Sequence, residues 1–404
     1  MNAPPDLFRQ PLFPATIPSR FIRRQNRFVV ECACSGRTVQ AHLPNPGRLW
    51  ELLVPGRTVI LVENAVFPGR TTPYTAVAVV RDGVTVLLHT QKTNDAAHFL
   101  LAQRRIPGLE GAEIIKREFT LGESRFDFLL QGGREKILLE VKSCTLYGRS
   151  LAMFPDAVTA RGRRHLEALA THAQNGYRCG VLFLIQSPRP EFFLPDYHTD
   201  LAFARTFLAH RDKLFYRALR ISWGNDFRLD KNIGEAVIPW PLLEREGWDG
   251  GSYIFIIFLA AAARLAVGAL GTFDFPAGYY LYVGSARKDL SQRLARHLRK
   301  GGKNRHWHID YLREAAHSCL ALPIRTRDDL ECELAAALTR VAARSLPGFG
   351  ASDCSCPSHL FYMPSHPLHD PAFRELLQYY RMDRLTPFSP DQKMHDQDIR
   401  ADIE

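Results

Sequence analysis

Three side chains in one short stretch carry chemistry: Asp127, then Glu140 and Lys142 in the run Leu139-Glu140-Val141-Lys142-Ser143. In an extended strand, residues two apart share a face, so Glu140 and Lys142 project together while Val141 turns to the core. Gln131-Gly132-Gly133 reads as a turn. An antiparallel hairpin centred near residues 132–134 sets Asp127 roughly opposite Glu140. Two carboxylates so placed can hold one Mg²⁺ whose waters attack a phosphate, while the lysine orients that water or offsets charge building in the transition state. A plain ion pair on a strand face is the competing reading, because Glu-x-Lys alone is a common spacing. The next helix opens Thr159-Ala160-Arg161-Gly162-Arg163-Arg164-His165, where Arg161 and Arg164 are cations for a phosphate backbone.

Other cations are clustered as well. Arg20, Arg23, Arg24 and Arg27 fall within eight residues without an acid, interleaved with Phe21 and Phe28. That mixture suits single-stranded nucleic acid, with the rings in the core and the arginines on an anionic partner; merely solvated arginines are the plainer account. Asn45 and Arg48 flank a Pro-Gly turn that could offer backbone N–H groups to phosphate. Between Arg287 and Arg313, nine basic residues face two acids. Arg296 and Arg299 lead that patch, which reads as a phosphate-binding surface. His306 and His308 flank Trp307 and read as surface or phosphate contacts. Cys332, Cys354, Cys356 and His359 could supply four soft ligands for Zn²⁺. Small buried hydrophobes are the alternative for those cysteines.

The elements that must position these groups fall into three parts. Residues 1–90 show β-rich runs at 27–32, 38–43, 58–62, 74–80 and 84–89, separated by turn signals that include Pro68-Gly69. Five short strands so spaced suggest a small OB-like barrel. Over 91–243 the order is helix (94–105, capped at Asn94 or Asp95), strands 113–120, 124–130 and 136–142, helix 157–173 and strand 179–185, with a shorter helix near 200–209. This is an α/β order with a buried sheet. Pro239–Gly251 looks like a linker, with 244–250 joining the parts. A third, α+β unit spans 251–367, with helices at 290–298, 307–314 and 328–344. Residues 368–404 hold one short helix and then an acidic, disordered tail over Asp391–Glu404.

Composition agrees with this partition. A chain of 404 residues suggests two or three domains. Its net charge of +10 favours polyanionic partners. Eight cysteines without a Cys-x-x-Cys pair point to reduced thiols in the cytoplasm. No secretion signal is read at Met1–Asp6. The apolar stretch Tyr253–Phe273 is interrupted by Arg264, which would cost about 2.5–3.5 kcal/mol at a bilayer centre. It reads as two buried strands turning near Ala261–Ala263, and no membrane partner is expected.

The order helix–strand–strand(Asp)–strand(Glu-x-Lys)–helix–strand resembles the PD-(D/E)xK nuclease core. The segments SRFIRRQNRFVVE, HLPNPGRLWELLVPG, SRFDFLL, LEVKS and FPDAVTARGRRHL are similar to the sugar fermentation stimulation protein A family over about residues 18–240. The resemblance implies an OB-like domain followed by a restriction-endonuclease-like domain, and DNA binding. It puts Asp127, Glu140 and Lys142 at the nuclease positions, with Glu118 as an additional acid one strand upstream. Trp50 stands where a smaller apolar residue is expected.

Gly251-Ser252-Tyr253-Ile254, Tyr280-Leu281-Tyr282-Val283-Gly284-Ser285-Ala286, HWHIDYL and SDCSCPSHLFY resemble the GIY-YIG superfamily over about 251–367. That resemblance implies Tyr253 and Tyr282 flanking an attacking water, Arg293 on the phosphate and Glu331 holding a metal. Here roughly 25 residues separate the tyrosine motifs instead of about a dozen, and Glu331-Cys332-Glu333 offers two acids. The expected function is DNA binding with Mg²⁺-dependent phosphodiester hydrolysis, DNA being favoured over RNA. A non-catalytic DNA-binding regulator and an RNA- or tRNA-processing factor are the alternatives.

Overall fold

Ser35-Gly36 and Asp82-Gly83 all have positive φ (49°, 76°, 51° and 78°), the mirror-image turn whose twist matches a hairpin. In the computed structural model, which describes residues 4–65, 72–300 and 307–385, these turns shape a barrel. Its strands are β1 (Ile17–Asn26), β2 (Val29–Cys34), β3 (Arg37–His42), β4 (Thr58–Glu63) and β5 (Tyr74–Arg81), followed by β6 (Val84–Leu87). The order β3-β2-β1-β4-β5 closes through a parallel β3–β5 pair at Ala41–Tyr74 and His42–Thr75, and β6 extends the sheet beyond β5. This is the expected five-stranded OB-type barrel, with one strand reassigned. Sequence patterning passes over β1 because two register shifts, at Phe21/Arg23 and Arg24/Asn26, break its alternation. The Pro68-Gly69 turn lies outside the described residues.

Next come α1 (Thr90–Ala102), β7 (Ala112–Leu121), β8 (Ser124–Gly132), β9 (Glu135–Cys144), β10 (Leu146–Tyr147), β11 (Leu151–Phe154), α2 (Ala160–Gln174), β12 (Arg178–Ile185), β13 (Phe192–Pro195), α3 (Leu201–Ala209), β14 (Phe215–Arg220) and β15 (Gly234–Glu235). A mixed sheet runs β15-β14-β12-β9-β8-β7, with β9, β12 and β14 parallel. A small sheet, β10-β11-β13, stands beside it. Helix α1 begins at Thr90, four residues before the expected cap. Asn94 therefore lies inside the helix and is available to the site. Ala97 and Leu100 of α1 share one apolar cluster with Ile137, Leu139 and Val141 of β9, Leu182 of β12, and Val77 and Leu87 of the barrel. Barrel and sheet thus share a core, and the chain up to Asp196 with Ala202–Trp240 forms one unit.

The second unit comprises Tyr197–Leu201 and Pro241–Arg384. Its elements begin with α4 (Trp240–Glu246), β16 (Gly251–Leu259), β17 (Ala263–Ala266), β18 (Thr272–Phe275) and β19 (Gly278–Ala286). They continue with α5 (Leu290–Leu298), α6 (His308–Ala315), β20 (Ser318–Arg325), α7 (Glu331–Thr339), β21 (Arg344–Ser345), β22 (Leu360–Met363) and α8 (Pro371–Gln378). The antiparallel sheet is ordered β20-β16-β19-β22-β21, and β17 pairs only with β18. The expected second buried strand of Tyr253–Phe273 is therefore half of a separate hairpin, where Arg264 and Asp274 face each other at 3.8 Å, both exposed. That hairpin, inserted between β16 and β19, accounts for the long spacing of the tyrosine motifs. Among the described residues no helix is long and apolar enough to cross a membrane. The Pro239–Gly251 stretch is not a plain linker: α4 ends on Glu246, whose fully buried carboxylate accepts from Arg245 at 2.7 Å and Arg384 at 3.3 Å. The expected acidic tail, Asp391–Glu404, lies outside the described residues.

One arginine of the N-terminal cluster organises the barrel. From β1, Arg24 donates to the carbonyls of Gly47 (2.6 Å), Arg48 (2.9 Å), Arg27 (2.7 Å) and Asn45 (3.3 Å). With the Asn26 carbonyl at 3.2 Å, five carbonyls surround one guanidinium, and three of them, on Asn45, Gly47 and Arg48, fix the 45–48 loop. We expect Arg24→Met to cost about 1–3 kcal/mol by orphaning those acceptors, whereas Arg20→Met, whose partners are exposed, leaves stability within about 0.5 kcal/mol. Thermal and urea unfolding of the two variants compares them directly.

Candidate active site

The β8–β9 hairpin places the first acid. Its ladder runs from Gly132–Glu135 to Phe128–Leu139 and ends there. One step further, the Asp127 carboxylate replaces the main-chain partner: Oδ2 accepts the Val141 N–H at 2.7 Å and Oδ1 accepts Asn94 Nδ2 at 2.7 Å. A side chain standing in for a backbone carbonyl fixes both its own rotamer and the position of β9. Burial and the Glu140 charge push the Asp127 carboxyl up to about 6, against the pull of Val141, Lys142 and Asn94.

Glu140 is 4% exposed, and Val141 between it and Lys142 packs into the core with α1. Its Oε1 accepts from Lys142 Nζ at 2.5 Å and pairs with His165 Nδ1 of α2 at 2.6 Å. Its Oε2 is buried and makes no hydrogen bond. Burial alone would raise this carboxyl, but Lys142 and His165 outweigh burial and hold it below the ordinary value. The arrangement is thus one ionised acid with an orphaned oxygen beside a second acid whose ionisation the first opposes. A divalent cation resolves both costs, so the donor set fits a hard, oxygen-seeking metal.

Asp127, Glu140, Lys142 and His165 line one cleft of about 840 Å³, with Arg27, Lys92, Arg117, Arg125 and Arg161 around it. Glu118 also lines the cleft, where Arg125 holds it at 2.9 Å. Arg164 is exposed and is not among the lining residues. Asn45 lines the cleft too, but its Oδ1 closes an Asx turn on Gly47 N at 2.9 Å. The loop sits hard against Asp156: a Cβ at Gly47 would meet that carboxylate at 2.3 Å. Of the remaining N-terminal arginines, Arg23 forms a fork on Glu31 (2.7 and 2.9 Å) and Arg48 lies 4.8 Å over the ring of Trp50. Phe21 is in the core as expected, whereas Phe28 is 47% exposed beside Arg27. Sequence reasoning missed Asn94, taken as a helix cap, and His165, read as one more cation.

In the second unit the implied site is closed on itself. Tyr253 is buried, with its hydroxyl 2.9 Å from His297 Nε2, and a Cβ at Gly284 would strike that hydroxyl at 2.4 Å. Burial raises Tyr253 and Tyr282 above the ordinary phenol range, so both hydroxyls stay protonated. Arg293 donates to the Ser285 carbonyl and covers the Trp307 ring at 4.9 Å. Glu331 accepts from Ser285 Oγ and pairs with His359 Nδ1 at 3.1 Å. Much of the basic patch turns inward: Arg296 holds the buried Asp310 at 2.8 Å, and Arg313 donates to the carbonyls of His297 and Leu298. Arg299 is exposed, His308 lies 3.4 Å from Gly350 N, and His306 is outside the described residues. Cys332, Cys354, Cys356 and His359 come together, their ligand atoms all within 4.8 Å of one another.

Three family models match successive parts of the chain. Residues 22–88 match the SfsA N-terminal OB domain and 91–222 the sugar fermentation stimulation protein RE domain; 252–381 match a domain of unknown function, DUF123. A sugar fermentation stimulation protein homolog from Methanothermobacter thermautotrophicus is 42% identical over 184 residues, 46% of this chain and 76% of that one. One from Chloroflexus aurantiacus is 42% identical over 196 residues, covering 48% and 74%. The solved structure of Pyrococcus furiosus SfsA in complex with Ca²⁺ is 30% identical, with a TM-score of 0.52, covering 55% of this chain and 96% of that one.

The Asp127 carboxyl, near pH 6, sets a pH dependence. Where Asp127 binds a cation its charged form would be the ligand, so below that value a proton would have to leave first. Mg²⁺ or Ca²⁺ affinity, measured by titration calorimetry, should fall about tenfold per pH unit below 6 and level off above 7. An affinity unchanged between pH 5 and 7 would show that Asp127 is not a ligand.

Proposed function

From the premise that this chain belongs to the sugar fermentation stimulation protein family, we propose that it binds nucleic acid, DNA in preference to RNA, and hydrolyses a phosphodiester bond in the Asp127–Glu140–Lys142 cleft with a divalent cation, Mg²⁺. The observation that carries this reading is the orphaned, buried Glu140 Oε2 next to an acid whose ionisation it disfavours. An arrangement that is costly without a cation belongs to a site that receives one. The Ca²⁺ in the archaeal relative's structure supports a divalent ion in this half of the chain.

Asp127 and Glu140 would hold the cation, which when bound acts as Lewis acid and lowers the pKa of its water. Asn94 and the Val141 N–H keep Asp127 aimed, and His165 keeps Glu140 aimed. Lys142 orients the attacking water and offsets negative charge on the phosphoryl oxygens. Arg27 and Arg161, which line the cleft, would supply cations for neighbouring phosphates.

The test is incubation of the full chain with Mg²⁺ and single- and double-stranded DNA and RNA, beside Glu140→Gln and Lys142→Met. Cleavage should fall at least about 100-fold in both variants, with binding affinity held within about twofold and steeply salt-dependent. Salt-sensitive binding without turnover on any substrate would leave a DNA-binding regulator. Equal cleavage by the variants would remove the assignment. His165→Ala should lower cleavage about tenfold while weakening cation affinity, since it acts through Glu140.

A further inference from the structure

The cysteine cluster of the second unit lies apart from everything used so far. Cys332 is in the first turn of α7. Cys354 and Cys356 are in the 346–359 loop that leads into β22, and the buried His359 ends that loop. From Ala351 to Pro357 no residue is buried, so this stretch has no apolar core of its own. What fastens it at its ends are main-chain bonds: Gly348 N–H to Pro357, His359 N–H to Phe349, and Val283 N–H to His359. Three thiols and an imidazole nonetheless point their ligand atoms into one volume, within 4.8 Å of one another, and His359 Nε2 is 3.4 Å from Cys354 Sγ.

A tetrahedral Zn²⁺ with bonds of about 2.0–2.3 Å needs ligand atoms about 3.5–3.8 Å apart, a contraction of roughly one ångström at most from the spacing here. Two thiols oxidising to a disulfide would use only half of the cluster and leave the imidazole unexplained. The other ring nitrogen of His359 decides the matter. Nδ1 lies 3.1 Å from Glu331 Oε1, so a carboxylate fixes the tautomer that presents Nε2 to the thiols. Carboxylate, imidazole and metal in line is a recurrent way of orienting a zinc-bound histidine. Glu331 is also the acid that the GIY-YIG resemblance assigns to a catalytic metal, and its second oxygen accepts from Ser285.

We propose that Cys332, Cys354, Cys356 and His359 form a structural Cys₃His zinc site that staples the 346–359 loop to the start of α7. Glu331 serves as the carboxylate that positions His359 rather than as ligand to a catalytic ion. Borderline-soft thiolates and one imidazole favour zinc over Mg²⁺ or Ca²⁺. All four first-sphere positions are filled by protein, so no site is left for a reacting water, as befits a structural metal. The proposal is independent of the nuclease reading, because the two sites share no residue.

The full chain, purified without chelator, is assayed by multi-element mass spectrometry and by Co²⁺ exchange. Roughly one zinc per chain is expected, with the intense visible bands of a tetrahedral thiolate site when cobalt replaces it. Cys354→Ser and Cys356→Ser should lose the metal, while Cys319→Ser, which lies outside the cluster, should keep it. Glu331→Gln should retain zinc but yield it to a chelator about 10–100-fold more readily. Stripping zinc from the wild-type chain should open the 351–357 stretch to protease, a readout that does not depend on a variant folding. Metal-free, folded protein with all three cluster thiols titratable would overturn the site, as would zinc retained by both serine variants. Unchanged chelator sensitivity in Glu331→Gln would overturn the role of Glu331.

Discussion

A single exchange of partners governs the first unit: the Val141 N–H, which a regular antiparallel ladder would give to a backbone carbonyl of β8, goes to the Asp127 carboxylate. The cost of ending the ladder one residue early is offset by a charge-assisted bond, which is about twice as strong as a neutral one. In return, the register of the hairpin and the direction of the first acid become one variable. Any slip of β9 that would move Glu140 and Lys142 to the wrong face must also break this bond.

Around that fixed point the charges are arranged in opposition. Glu140 receives Lys142 and His165 on one oxygen and no partner on the other. Asp127 receives only neutral donors, at Asn94 and Val141. Two carboxylates in one buried cleft therefore differ in their readiness to ionise, and the environment rather than the residue type sets the difference. The second unit treats its acids differently: Glu246 and Asp310 are fully buried but each is matched by arginine. Such acids are structural, which sets the Asp127–Glu140 pair apart.

Much of this was legible in the sequence. The Glu-x-Lys spacing, the turn near 132–134 and the apolar β9 and β12 runs gave the hairpin and the face. Turn residues gave the barrel, although β1 was hidden by its bulges. Asn94 and His165 were not legible: a helix start misplaced by four residues turned one into a cap, and a run of arginines disguised the other. The N-terminal arginines show the limit of composition. A cluster without nearby acids looks like a phosphate surface, yet Arg23 finds Glu31 and Arg24 finds the distant carbonyls of Asn45, Gly47 and Arg48. The basic helix α5 shows the same limit, since Asp310, fourteen residues beyond Arg296, neutralises part of its face.

The common core of barrel and sheet has a mechanical corollary. Val77 and Leu87 belong to the same apolar cluster that backs Val141, so the barrel and the strand that carries the carboxylates pack as one body. A polymer bound as proposed would have to bend or splay to reach the carboxylates in their trough.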